Sequence, residues 1–117
     1  MTGASRGIGE ATARAFAAAG ASVALVARDG DRLAELAEEL GGTAHPADLL
    51  DPDVVAGLVA EVESSGAPVD VLVNNAGLAP GGFFADIEPD DLEAVYRVNL
   101  VSPVQLCRAV LPGMLDR

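Results

Sequence analysis

The order in which hydrophobic periods alternate along the chain limits its fold more than any other feature. Residues 7–19 follow an alanine-rich helical pattern, and Gly20 stands where a left-handed cap would close it. Residues 22–27, SVALVA, are a short valine-enriched run that suits a strand covered on both faces. Residues 29–40 space Leu33, Leu36, Ala37 and Leu40 as an amphipathic helix ended by Gly41 and Gly42. Residues 43–47 read as a weaker strand, because Pro46 removes a ladder donor and is tolerated near a sheet edge. A third helix starts at Asp51 with Leu58, Val59 and Val62 as its stripe, and residues 64–68 break it. Residues 69–73 are the clearest strand. Residues 90–99 are helical, and Ser102 with Pro103 restarts or kinks the helix, which continues to Met114. This alternation predicts an α/β fold, with a parallel sheet flanked by helices.

A chain of 117 residues has room for one domain and one core, since it buries about two-thirds of its unfolded surface. The longest uninterrupted apolar runs reach about six residues against the ~20 that cross a bilayer, so no membrane span is expected. The 18 acidic residues outnumber 7 basic ones, all arginine, for a net charge of −11. Such a field repels nucleic acid and anionic membrane, and a bound polyanion must be held by local groups. Cys107 has no second cysteine and falls in a helical pattern, which predicts a packing role in a reducing compartment. Met1 is followed by neither a basic n-region nor an apolar h-region, so no secretory signal is read and a cytoplasmic location is expected. The acidic run from Glu88 to Asp91 contains Pro89 and opens a helix, which suits the helix dipole; no metal site is expected.

Residues 2–9, TGASRGIG, place Gly3, Gly7 and Gly9 at the mouth of the first helix. Glycine allows a tight turn there and lets main-chain N–H groups approach a diphosphate at the positive helix end. Alone, the stretch also fits a plain turn and cap. Further on, Asp48 follows the weak strand, VDVLVNNAG fills residues 69–77 and VNL residues 98–100. With these four motifs in this order and spacing, the chain resembles the short-chain dehydrogenase/reductase family over nearly its whole length, in the subgroup whose glycine motif is TGxxxGxG.

The resemblance implies a partial Rossmann-type doubly wound parallel sheet, residues 1–117 forming part of an NADP(H)-binding domain, with the first strand and the C-terminal half missing. It implies that Gly3, Ser5, Arg6, Gly7, Ile8 and Gly9 line the cofactor phosphates and adenosine ribose. Asp48 and Leu49 match adenine contacts, although Asp48 also fits a helix N-cap. Asn75, Ala76 and Gly77 match the segment along the cofactor's ribose, and Asn74 a brace between strands. Asn99 matches the asparagine of a catalytic set of Asn, Ser, Tyr and Lys. A small carbonyl or alcohol substrate is implied. Residues 90–114 resemble a helix used in dimer and tetramer contacts, which implies a homo-oligomer.

NAD-binding folds of this kind place an acidic side chain about twenty residues after the glycines, for the ribose 2′-hydroxyl. Ala27 stands there, followed by Arg28, while Arg6 lies in the glycine loop. Two guanidiniums suit a 2′-phosphate, so NADP(H) is expected over NAD(H). Asp29 leaves open an ordinary ion pair with Arg28.

The chain contains no lysine, and its one tyrosine, Tyr96, is followed four places on by Leu100, so Tyr96 is expected to pack. His45 titrates near neutrality, but it stands on the adenine side of the fold and is not expected to act as acid or base. The expectation is an inactive piece of an NADP(H)-dependent oxidoreductase. The competing reading is a non-catalytic nucleotide- or partner-binding module complete as written. The first is favoured because residues 22–27 and 69–73 lack a strand between them, which predicts a cleft or splayed sheet.

Overall fold

The computed structural model describes residues 1–117, and its helices form close to the predicted boundaries. Helix α1 spans Gly7–Ala18, α2 Gly30–Leu40, α3 Pro52–Ser65, α4 Pro89–Tyr96 and α5 Ser102–Asp116; strand β1 is Ala24–Ala27 and β2 Thr43–Pro46. Local chemistry sets these ends. Asp29 caps α2 by accepting the Arg32 N–H at 3.0 Å, and Gly41 ends it at φ 63°. Asp51 caps α3 through the N–H groups of Asp53 and Val54, with Pro52 in the first turn.

The π-helical turn Arg97–Val101 joins α4 to α5 without a break, so of the two readings Ser102 and Pro103 do not restart a helix, and the irregularity is a π turn just before them. Pro89–Asp116 are therefore 28 helical residues with a window of mean hydropathy 1.2, long and apolar enough by length and composition to cross a membrane. Counting uninterrupted apolar runs misses this, because polar residues are interspersed among the apolar ones. In the fold, Leu106 and Val110 of this helix are buried with the apolar stripe of α3.

Strands β1 and β2 pair in parallel, Ala24 opposite Thr43 through Ala27 opposite Pro46. Successive β1 side chains enter separate cores, as the strand period dictates. Leu25 joins Ala13 of α1 with Leu33 and Leu36 of α2, and each buried leucine contributes about 1.5–3 kcal/mol. Val26 joins Val55, Leu58 and Val62 of α3 with Leu106 and Val110 of α5. Helices thus cover both faces, the doubly wound arrangement expected.

Met1 and Thr2 flank β1 on its other side. Thr2 forms a parallel bridge with Val26, whose N–H donates to Met1 O at 2.9 Å. The Met1 nitrogen donates to Ala24 O at 2.7 Å. The Thr2 N–H donates to Val73 O at 3.0 Å, which sets residues 69–73 on the far side. Those residues, the clearest predicted strand, form no ladder. A cleft of about 690 Å³, lined by Leu58, Val59, Val62, Leu106 and Val110 among others, separates most of them from β1. Neither main-chain polar group of Val71 has a partner in the protein. Side chains hold the start of the segment: Glu63 accepts the Val69 N–H at 3.1 Å and Arg117 donates to Val69 O at 2.7 Å. A local apolar pattern marks strand character, but a ladder also needs a neighbour's amides. The expected cleft is present.

The exposed surface, 7129 Å², exceeds the about 5,900 Å² of a typical folded monomer of 11.8 kDa. Much of the exposed apolar surface lies here, in the segment at residues 83–84 and along the helical stretch 89–116: Val71, Phe83, Phe84, Leu100, Val104 and Leu115 all face solvent. Tyr96, expected to pack, is 64% exposed, and Cys107 is exposed as well. Both lie on helix surface that this chain leaves largely open to solvent.

Candidate functional site

Gly3 adopts φ 66°, and a Cβ there would stand 2.8 Å from Ala76 Cα. Only glycine meets both demands, so the opening loop lies directly against residues 75–76. Asn75 Nδ2 donates to Thr2 O at 3.0 Å and Gly3 O at 3.1 Å. In return, Thr2 Oγ1 accepts the N–H groups of Asn75 at 3.1 Å and Ala76 at 3.0 Å. The bracing expected of Asn74 is therefore carried by Asn75. Successive side chains in an extended segment point to opposite sides, and Asn74 instead donates to Cys107 Sγ of α5 at 3.5 Å.

This cross-brace sets the start of α1 at a cleft of about 800 Å³. Aspartates cap α2 and α3, but no side chain caps α1. The N–H groups of Gly7, Ile8 and Gly9 donate to no acceptor in the protein, which leaves a cluster of free donors at the helix's positive end. Gly3, Ser5, Arg6, Gly7, Ile8, Gly9, Arg28, Asp48, Leu49, Asn75, Ala76 and Gly77 all line this cleft. Asp29, read in sequence only as a partner for Arg28, also lines it, as do Arg32, Leu50, Leu78 and Val98, which were not anticipated. Of these, Arg32 alone carried a signal in sequence: a cation four residues after Arg28, in a helix rich in acids. The apolar members carry none.

Neither Arg6 nor Arg28 takes part in any of the ion pairs of the fold. Asp29, the alternative partner of Arg28, commits its carboxylate to the α2 cap. Asp48 Oδ1 accepts the Leu50 N–H at 3.0 Å, a local turn, and the cap of α3 falls to Asp51. The neighbouring Leu49 N–H has no partner, while its carbonyl accepts from buried Ser102 Oγ at 2.7 Å. An acceptor and a donor thus stand side by side at this part of the cleft.

Behind the glycine loop an ion network ties α1 to α2. Glu10 Oε1 accepts from Arg14 Nη2 at 2.9 Å and Arg32 Nη2 at 2.7 Å; Arg32 Nη1 donates to Glu35 at 3.1 Å, and Arg14 also pairs with Glu39. The Arg14 hydrogen bond, reinforced by the charge of Arg32, holds the Glu10 carboxyl below its usual range.

Asn99 sits in the π turn, a form that helices adopt at functional positions. Its Oδ1 accepts the Leu78 N–H and its Nδ2 donates to Leu78 O, both at 2.8 Å. Leu78 lines the cleft, but Asn99 itself does not. His45 is buried between β2 and α3, with Nδ1 3.0 Å from Glu61 and Nε2 2.9 Å from Thr43 Oγ1, a satisfied core histidine away from the cleft. No group of His, Cys, Asp or Glu has an arrangement that would hold a metal.

The family model described as short chain dehydrogenase matches residues 1–117. A short chain dehydrogenase of Pseudocercospora fijiensis is 46% identical over 125 residues, spanning 100% of this chain and 40% of that relative. A metagenomic short-chain oxidoreductase solved in complex with NADP aligns with TM-score 0.88 and 41% identity, over 98% of this chain and 55% of that one. A blue fluorescent protein from a metagenomic library, solved with NADPH, aligns with TM-score 0.88 and 36% identity, over 97% and 49%. The chain thus spans roughly half the length of these relatives, or less. With the glycine turn, Asp48 and the NNAG segment meeting at one cleft and the family model matched from first residue to last, the chain belongs to the short-chain dehydrogenase family.

Proposed function

We propose that this chain supplies the adenosine- and diphosphate-binding part of an oxidoreductase that, as a whole protein, moves hydride between NADP(H) and a small carbonyl or alcohol. One observation carries the reading: the uncapped start of α1 opens on a cleft with two ion-pair-free guanidiniums, Arg6 and Arg28. The free amides of Gly7, Ile8 and Gly9 receive the diphosphate. Asp48 accepts from the exocyclic amine of adenine, and the Leu49 N–H donates to the adjacent ring nitrogen. Arg6 and Arg28 take the 2′-phosphate, and Ala27 replaces the carboxylate that would repel it. NADP and NADPH in the complexes of two relatives support a nicotinamide cofactor.

The bound cofactor supplies or accepts the hydride. Ala76 and Gly77 leave its ribose room, and Asn99 fixes Leu78 and with it the adjoining wall. The family's Ser, Tyr and Lys have no counterparts in this chain, which contains no lysine, so residues 1–117 alone have no dehydrogenase activity. They form part of one cytoplasmic cofactor-binding domain. The exposed apolar face of α4 and α5, including Tyr96, Leu100 and Val104, serves contacts in a homo-oligomer.

Titrating the whole protein with NADPH and NADH tests the assignment. NADPH binds at least about tenfold tighter, and Arg28→Ala removes most of that preference, as expected for a charge-assisted pair. Tighter NADH binding, or an Arg28→Ala variant that keeps the preference, overturns it. Micromolar NADPH binding together with a cooperative melt by the 117-residue chain alone would favour the self-contained module.

A further inference from the structure

Three of the 7 basic side chains, Arg6, Arg28 and Arg32, line one cleft of a protein whose net charge is −11. Arg32 is out of place by local rules. It sits in the first turn of α2, where the helix dipole disfavours a cation. Two carboxylates hold it there, and they differ in kind. Glu10, with its side chain 20% exposed, reaches across from α1 and accepts Nη2 at 2.7 Å; Glu35, 71% exposed, is a neighbour on α2 and accepts Nη1 at 3.1 Å. The first is an anchor between two helices. The second is an exposed pair of the class that contributes little and exchanges readily. A guanidinium has five N–H donors in a fixed fork, so Arg32 keeps its anchor while offering Nη1 and Nε elsewhere.

The geometry points to Arg32 as a third cation for the cofactor's 2′-phosphate, tethered by Glu10 and shielded by Glu35 until the phosphate displaces that carboxylate. The inference rests on the NADP(H) reading above and adds to it a specificity residue and a competing internal anion. Glu10 also accepts from Arg14, so the anchor stays neutralised when Arg32 turns part of its fork toward the phosphate. No bond beyond hydrogen bonds changes, and the Arg32–Glu35 pair is exchanged for an Arg32–phosphate pair.

Calorimetric titration of the whole protein with adenosine 2′,5′-diphosphate and with 5′-AMP, probes that differ by the 2′-phosphate alone, tests this. Arg32→Ala weakens the diphosphate about tenfold and 5′-AMP less than twofold, and Arg32→Lys recovers part of the loss. Glu35→Gln, which leaves the Glu10 anchor in place, tightens the diphosphate about two- to threefold and leaves 5′-AMP unchanged. Equal weakening of both probes by Arg32→Ala would mean a purely structural bridge and overturn the inference, as would Glu35→Gln without effect on their ratio. If the unmodified protein binds the two probes equally, the NADP(H) reading itself fails. If it discriminates, and Arg28→Ala abolishes the discrimination while Arg32→Ala preserves it, only the role of Arg32 fails.

Discussion

Gly9→Ala separates a glycine required by packing from one that is merely tolerated. Gly9 is buried in the first turn of α1, and a Cβ there would overlap Gly3 O, stand 2.8 Å from Gly3 C and 2.5 Å from Asn75 Nδ2. None of these neighbours yields easily. Two are main-chain atoms of a loop, and the third is itself fixed by hydrogen bonds to Thr2 O and Gly3 O. Relief requires a shift of about 1 Å, and overpacking of this kind costs about 1–3 kcal/mol. Losing the two Asn75 hydrogen bonds adds about 1 kcal/mol each. The better helix propensity of alanine offsets about 1 kcal/mol, which leaves a net destabilisation of about 2–4 kcal/mol. The same shift moves the α1 amides, so NADPH affinity falls at least about tenfold. Gly57→Ala is the matched control: it lies in α3 with nothing within 4 Å of the added carbon, and it should stabilise by about 0.5–1 kcal/mol. Urea unfolding and NADPH titration of both variants in the whole protein decide the matter. A Gly9→Ala variant within about 1 kcal/mol of the parent and with unchanged NADPH affinity would refute the argument that this contact is why glycine stands there.

Two further predictions concern single side chains. Ser102→Ala leaves the Leu49 carbonyl without its buried donor, so it should destabilise by about 1–3 kcal/mol and loosen the cleft wall at Leu49, proposed to meet adenine; equilibrium unfolding and 5′-AMP titration check both effects. Glu10 has its carboxyl lowered by Arg14 and then Arg32, so its contribution to stability is complete above the unfolded value of 4.5 and is lost as pH falls through the lower folded value. Glu10→Gln should therefore destabilise at neutral pH and converge with the parent in acid. A deficit that is the same at both ends of the pH range in thermal melts would argue against that coupling.

What the sequence by itself determined is local. The end of α2 at Gly41, the start of α3 at Asp51, the stripes of α2 and α3 and a β1 strand covered on both faces depend on interactions within a turn or on the strand period. The residues that line the cleft at the start of α1 stand out in sequence for a related reason: a glycine turn before a helix and an NNAG run each occupy a few adjacent letters. What only the tertiary structure decided involves partners far apart in the chain. Asn75 and not Asn74 braces the loop because Thr2, more than seventy residues away, meets one side of that segment. Arg32 belongs to the cleft because α1 brings Glu10 beside α2. Residues 69–73 carry the strand pattern but form no ladder, because main-chain hydrogen bonds there need a second chain segment at strand spacing, and periodicity in one segment cannot report its neighbour. Tyr96 and Cys107 read as packing residues in a helix, yet burial depends on what packs against a face, and theirs stay exposed, with only Asn74 reaching Cys107.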